Sequence, residues 1–209
     1  EATLRPLIEK YIGCLPKGKT ENWKETPAYA TGKLENKFTR KSETPKAIAF
    51  EFWHAPMAYT LENDILTSAA GQVLSMVYLK SIREDASAAY SVSAGGSLRR
   101  LGNKSTAVIQ AYCPMDPAKS DLALKLLAEG IKDNTVKMDA DKVQKVKDFM
   151  LKDAELSAKT NNYWMGVLDN YIWSGVDFHT NYKKTVEAIT PAKLAAHLKQ
   201  ILAAGNHAE

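Results

Sequence analysis

Apolar positions recur along the chain in two rhythms. Leu4, Leu7, Ile8, Tyr11 and Ile12 follow the i, i+3, i+4, i+7, i+8 spacing of a helix with one core-facing stripe. Pro6 falls in the first turn, where a missing N–H costs little, and Gly13 ends the run. Residues 15–30 are polar and loop-like, and are expected to cross the surface under Trp23 and Tyr29. The rhythm then changes to alternation. Residues 33–42 alternate around Leu34 and Phe38. Residues 47–54 put Ile48, Phe50 and Phe52 on one face and Ala49, Glu51 and Trp53 on the other. With Glu43-Thr44-Pro45 as the turn, the two runs predict an antiparallel hairpin.

A wide apolar stripe over residues 61–82, from Ile65 to Ile82, predicts a long helix with Thr60 as N-cap. Residues 88–98 and 104–113 alternate again around Leu101-Gly102-Asn103, which predicts a second hairpin. Asp116-Pro117 opens a helix through Ile131. Asp139 or Asp141 caps another, and Asn161-Asn162 breaks it. A short aromatic helix from Tyr163 to Ile172 ends at Gly175. Thr190-Pro191 opens the last helix, with Gly205 just past its end. Strands thus come as hairpins rather than singly between helices. The fold class expected is α+β: an antiparallel sheet of about four main strands, covered by helices. One domain over residues 1–209 is expected, as a fragment of a longer chain, because both ends look cut. A sheet edge left unpaired by that cut is expected to promote self-association.

Composition narrows the classes. Hydrophobic residues at 45% and charged residues at 25% suit a globular chain rather than a disordered one. The longest weakly charged stretch, residues 65–78, is too short for a membrane span, so no membrane partner is expected. Net charge is 28 − 24 = +4, with the basic residues scattered over Arg99-Arg100, Lys183-Lys184 and the 17–24 run. No aromatic-studded basic strand accompanies them, and no nucleic-acid partner is expected. Cys14 and Cys113 fit neither a metal spacing nor a disulfide framework and read as ordinary thiols. His54, His179, His197 and His207 form no H-E-x-x-H or H-x-x-E-H motif. Glu51 and His54 fall on opposite strand faces, and His197 reads as a half-exposed packing residue. No metal site is therefore expected in this chain. Gly95-Gly96 fits no phosphate loop and reads as a bulge or close backbone approach.

One segment carries more. In Ser81-Ile82-Arg83-Glu84-Asp85-Ala86-Ser87-Ala88-Ala89-Tyr90-Ser91-Val92-Ser93, a long helix ends in Arg-Glu, crosses a turn of small residues and enters a strand with Tyr. This resembles the pitrilysin/insulysin family of inverted zinc metallopeptidases, whose relatives include the mitochondrial processing peptidase. The run from Leu4 to Leu15-Pro16 is similar to the family's segment of helix, small residue and Leu-Pro. Asn162-Tyr163-Trp164 and the Thr190-Pro191 helix are similar to its C-terminal helices.

The resemblance implies a division of labour. One domain of such peptidases carries H-x-x-E-H and a distal Glu. A domain in the other half lacks zinc ligands and supplies an Arg and a Tyr, seven apart, to a peptide held in a closed chamber. Arg83 and Tyr90 are seven apart. The chain therefore resembles the non-zinc, substrate-binding domain, with zinc bound by another domain of the full-length protein. By that resemblance Tyr90 is a catalytic oxyanion donor and Arg83 a substrate-binding residue. The fragment alone is expected to be inactive. Ser87 stands where the family's turn often has Gly. Periplasm or cell envelope is the expected compartment, peptide the substrate, and other domains of the same chain the partners. The other class is a non-catalytic structural or interaction module of the same fold.

Overall fold

The computed structural model describes residues 1–18 and 29–209. Trp23 and most of the basic 17–24 run lie outside the described residues. A five-stranded sheet carries the fold. Its strands are β1 (Lys33–Leu34), β2 (Ala47–Pro56), β3 (Ser93–Leu101), β4 (Lys104–Met115) and β5 (Asn206–Ala208). They lie in the order β1-β5-β2-β4-β3. The β1–β5 pair is parallel, and the β2–β4, β2–β5 and β3–β4 pairs are antiparallel. The class is α+β, as the hairpin pattern suggested.

The expected first hairpin does not form. β2 is paired on both sides, with β4 from Ala47↔Met115 to Pro56↔Thr106 and with β5 at Trp53↔His207. No side remains for residues 33–42. Of these only Lys33–Leu34 is a strand, and it lies outside β5. The stretch after it has charged and polar residues around a lone Phe38, which stays 75% exposed and offers too little burial to hold a strand. The sheet also gains β5, so five strands replace the expected four. The second hairpin forms around Gly102-Asn103, with Gly102 at φ +59 as its turn requires. β3 starts at Ser93 rather than Ala88, after a single bridge from Ala89 to Met115.

The central helix is α2 (Leu61–Tyr78), capped by the Thr60 hydroxyl, which accepts the Asn63 N–H at 3.2 Å. It continues as a π-helical turn over Leu79–Asp85. Together these form a helix of 25 residues, apolar and long enough to cross a membrane by length and composition. Here it is the core helix, packed against the sheet and four other helices. It reaches the sheet through two glycines. A Cβ on Gly71 would lie 2.1 Å from the Gly96 nitrogen, and one on Gly96 would lie 1.8 Å from the Thr67 carbonyl oxygen. This is the close approach that Gly95-Gly96 suggested, and Gly96 is the residue that makes it.

The remaining helices are α1 (Leu4–Tyr11), α3 (Ser120–Asn134), α4 (Ala140–Ser157), α5 (Asn161–Ser174), α6 (Tyr182–Glu187) and α7 (Pro191–Ala203). Asp139 is the cap of α4, accepting from Asp141 and Lys142 N–H. The α2, α3 and α7 helices bury Tyr78, Leu74, Leu127, Leu194 and Leu198 against the inner sheet face, where Ile109 and Ala111 point. Tyr78 is fully buried and donates its hydroxyl to the Leu127 carbonyl at 3.0 Å. The expected stripe of α1 forms as a helix, but Leu4, Leu7, Ile8, Tyr11 and Ile12 all remain exposed. No residue of α5 is buried either, and Trp164, Met165, Leu168, Tyr171 and Ile172 face outward.

Candidate functional site

The site is built where α2 hands the chain to β3. Helix geometry loosens there into the π-helical turn, whose last turn carries Arg83. Single π turns inside α-helices recur at functional sites. The Ala86 N–H reaches back to the Ser81 carbonyl at 3.2 Å, and the Ala88 N–H to the Ile82 carbonyl at 2.8 Å. The Ser81 hydroxyl is buried with no hydrogen-bond partner among the described residues. Ser87 then takes φ +47, a left-handed conformation a non-glycine residue adopts at a cost. Lys119 Nζ donates to the Ser87 carbonyl at 2.8 Å and fixes the turn. Ala88 and Val92 are buried, so the crossing is anchored on both sides of Tyr90.

That anchoring leaves Tyr90 outward. It is 89% exposed, and Arg83 is exposed as well. Neither side chain makes a hydrogen bond or ion pair among the described residues. Tyr90 is therefore not a strand residue of β3, as expected from the sequence, but sits in the crossing just before it.

The titratable groups elsewhere are engaged in structure. Glu51 points inward, is 2% exposed and pairs with His207, which stacks on Trp53 at 5.2 Å between ring centroids. Burial pushes the Glu51 carboxyl above its ordinary range, and His207 pulls it back. His54 lies on the opposite face, as alternation required, against the Tyr29 ring and the Ala30 carbonyl. His197 is buried rather than half-exposed and meets Thr67 Oγ1 at 2.9 Å. Burial lowers its pKa to about 4. His179 Nδ1 is 2.7 Å from the Tyr163 hydroxyl. Both cysteines are free. Cys14 is exposed, and burial raises the Cys113 thiol to about 11. Among the described residues no group of three or more His, Cys, Asp or Glu could hold a metal ion, so they do not fit zinc.

The sheet's outer face was not singled out from the sequence. Phe50 is 53% exposed, and its ring lies 5.0 Å from that of Tyr112. Phe50, Phe52, Ser93, Gly95, Gln110 and Tyr112 line a shallow cleft of about 180 Å³. The alternation put Ile48, Phe50 and Phe52 on one face, but apolar content alone does not show which face of a strand meets the core.

Comparison with solved structures shows that this fold is shared with proteases. The chain superposes on FusC, a ferredoxin protease solved in complex with Arabidopsis ferredoxin, with TM-score 0.80 and 19% identity over 99% of this chain. The periplasmic protease PqqL from Escherichia coli gives TM-score 0.76 and 18% identity over 99% of this chain. A peptidase M16 inactive domain from Pseudomonas fluorescens gives 0.67 and 14% over 99% of this chain and 50% of its own. The chain spans 23% of the length of both FusC and PqqL. The chain belongs to the M16 peptidase family, as its inactive domain: the model described as "Peptidase M16 inactive domain" matches residues 1–150. This is the pitrilysin-like family that the Arg83–Tyr90 segment resembled, in its non-zinc half. No curated protein matches the chain.

Proposed function

We propose that this domain is a substrate-holding wall of a zinc-dependent peptidase, with the metal held by another domain of a longer chain. One observation carries the reading. Arg83 and Tyr90 flank an anchored, strained turn, yet both are exposed and unpartnered among the described residues. A tyrosine kept for packing is buried and bonded, as Tyr78 is. In the proposed site the Tyr90 O–H donates to the oxygen of the scissile carbonyl as negative charge develops on it. The Arg83 guanidinium donates to neighbouring peptide carbonyls and sets the direction of the backbone.

The substrate is a polypeptide, a reading supported by the protease neighbours. The exposed apolar faces of α1 and α5 are read as contacts with other domains of that chain. The compartment is periplasm or cell envelope, a reading supported by PqqL, a periplasmic protease.

Peptide hydrolysis by the full-length protein tests the Arg83 role. Arg83→Ala is expected to raise KM about 10-fold with little change in melting temperature, because binding common to ground and transition state is lost. An unchanged KM would favour a non-catalytic module of the same fold.

A further inference from the structure

The sheet ends at β3, and no described strand lies outside it. Along that edge β3 presents unpaired backbone N–H and C=O groups, which an extended chain can pair with. The residues of β3 opposite the exposed β4 residues Tyr112 and Gln110 are Ser93 and Gly95, by the pairings Ser93↔Tyr112 and Gly95↔Gln110. The aromatic cleft lies on this same face. Its floor is open at Gly95, where a Cβ would meet nothing within 4 Å. Its walls are Phe50, Phe52 and Tyr112, and Ser93 and Gln110 supply polar groups. Only Ser91 and Val92 separate Tyr90 from Ser93 at the cleft.

We propose that this cleft is a subsite for one large apolar side chain of the substrate peptide, whose backbone lies as an added strand along the free edge of β3. The proposal rests on the Arg83–Tyr90 reading, because it extends the same bound peptide from that pair onto the sheet. Three features select this occupant. The free edge asks for an extended backbone. Alternation along an added strand sends every second side chain to the outer face, where the cleft is. The volume, about 180 Å³, suits a single ring: an apolar cavity of about 150 Å³ takes up benzene. Gly95 is the specificity-determining position, since any larger side chain there fills the space the guest would use.

The test uses the 209-residue chain and two blocked peptides of alternating Thr and Ser. One has a single central Phe, the other Ala at that place. Fluorescence anisotropy is expected to show the Phe peptide binding on the order of 10-fold tighter, the size of partly burying one ring. Gly95→Leu is expected to erase that difference with no loss of melting temperature. Phe50→Ala is expected to reduce it. Equal binding of the two peptides, or discrimination that survives Gly95→Leu, would overturn the subsite. So would concentration-dependent dimers that Gly95→Leu dissolves, because a second copy would then own the cleft. If the subsite fails while Tyr90→Phe still lowers turnover of the full-length protein, the Arg83–Tyr90 reading stands. If both fail, that reading falls with it.

Discussion

Thr67 Oγ1 has one proton and gives it to the Asn63 carbonyl at 2.6 Å, so at His197 it accepts, and the Nε2 of that ring carries hydrogen. A buried neutral imidazole of this kind disfavours its charged form, with Glu62 only partly offsetting the burial. Its pKa of about 4 when folded lies below the ordinary 6.5, so the unfolded chain takes up the proton first. Stability from this group is complete above pH 6.5 and is lost as pH falls toward 4. The loss is about 2–3 kcal/mol. Asp64 works in the other direction. Burial raises its carboxyl to about 6, so it favours the folded state at low pH and that contribution fades as pH rises through 6. Denaturant melts between pH 7 and 4 are therefore expected to show a shallow net slope. His197→Gln should tilt it toward acid stability, and Asp64→Asn should steepen the loss on acidification. Parallel profiles for all three proteins would contradict this assignment. The sequence read His197 as a half-exposed packing residue on the last helix, and it is buried because α2 packs against it, a contact local pattern does not show. Arg83 and Tyr90 stood out in the sequence through the family resemblance of their segment, and the fold leaves both exposed. The phenylalanines of the outer face were legible as an alternating set, yet nothing local distinguishes a core face from an open one.

At the scale of elements, α2 and β3 are held together by missing side chains. Gly96→Ala would drive a methyl into the Thr67 carbonyl, and Gly71→Ala would drive one into the backbone of Gly95 and Gly96. Each is expected to cost about 1–3 kcal/mol or more, because backbone atoms on both sides cannot yield. Gly95→Ala, one residue away with open space at its Cβ, is expected to be nearly neutral. Thermal unfolding of the three variants gives the contrast, and equal losses at Gly95 and Gly96 would count against this packing. The Ser87 turn gives a second case. At φ +47 a glycine relaxes the backbone, so Ser87→Gly is expected to raise stability by up to about 1 kcal/mol, and Ser87→Val to lower it. The helices were legible from their periods and caps: Thr60 and Thr190 cap where sequence placed them, and of the two candidates Asp139 and Asp141 the first caps α4. The first hairpin was not. Adjacent strands in sequence usually pair, but β2 is long and apolar enough to take β4 and β5, distant in the chain, as both its neighbours.

The whole molecule keeps a closed interior and open outer surfaces. Its helices bury one face of the sheet, while α1, α5 and the outer sheet face keep large apolar side chains exposed. The free β3 edge adds hydrogen-bonding groups to that list. Sedimentation of the isolated chain is expected to show reversible self-association through α1 and α5 that grows with concentration and survives Gly95→Leu, whereas a strict monomer at all concentrations would show these two helix faces to be inert. Pairings of this reach were the least legible part, because β5 joins the sheet from the far end of the chain and only the folded topology brings it beside β2. The central claim is that Tyr90 acts on the substrate rather than on the fold. Its most direct test is Tyr90→Phe in the full-length protein, with kcat/KM for a peptide and melting temperature measured on the same sample. Loss of one oxyanion donor is expected to lower kcat/KM about 10²-fold or more while the melting temperature stays unchanged. A variant that keeps its turnover per folded molecule, or that loses activity only in step with stability, would contradict it.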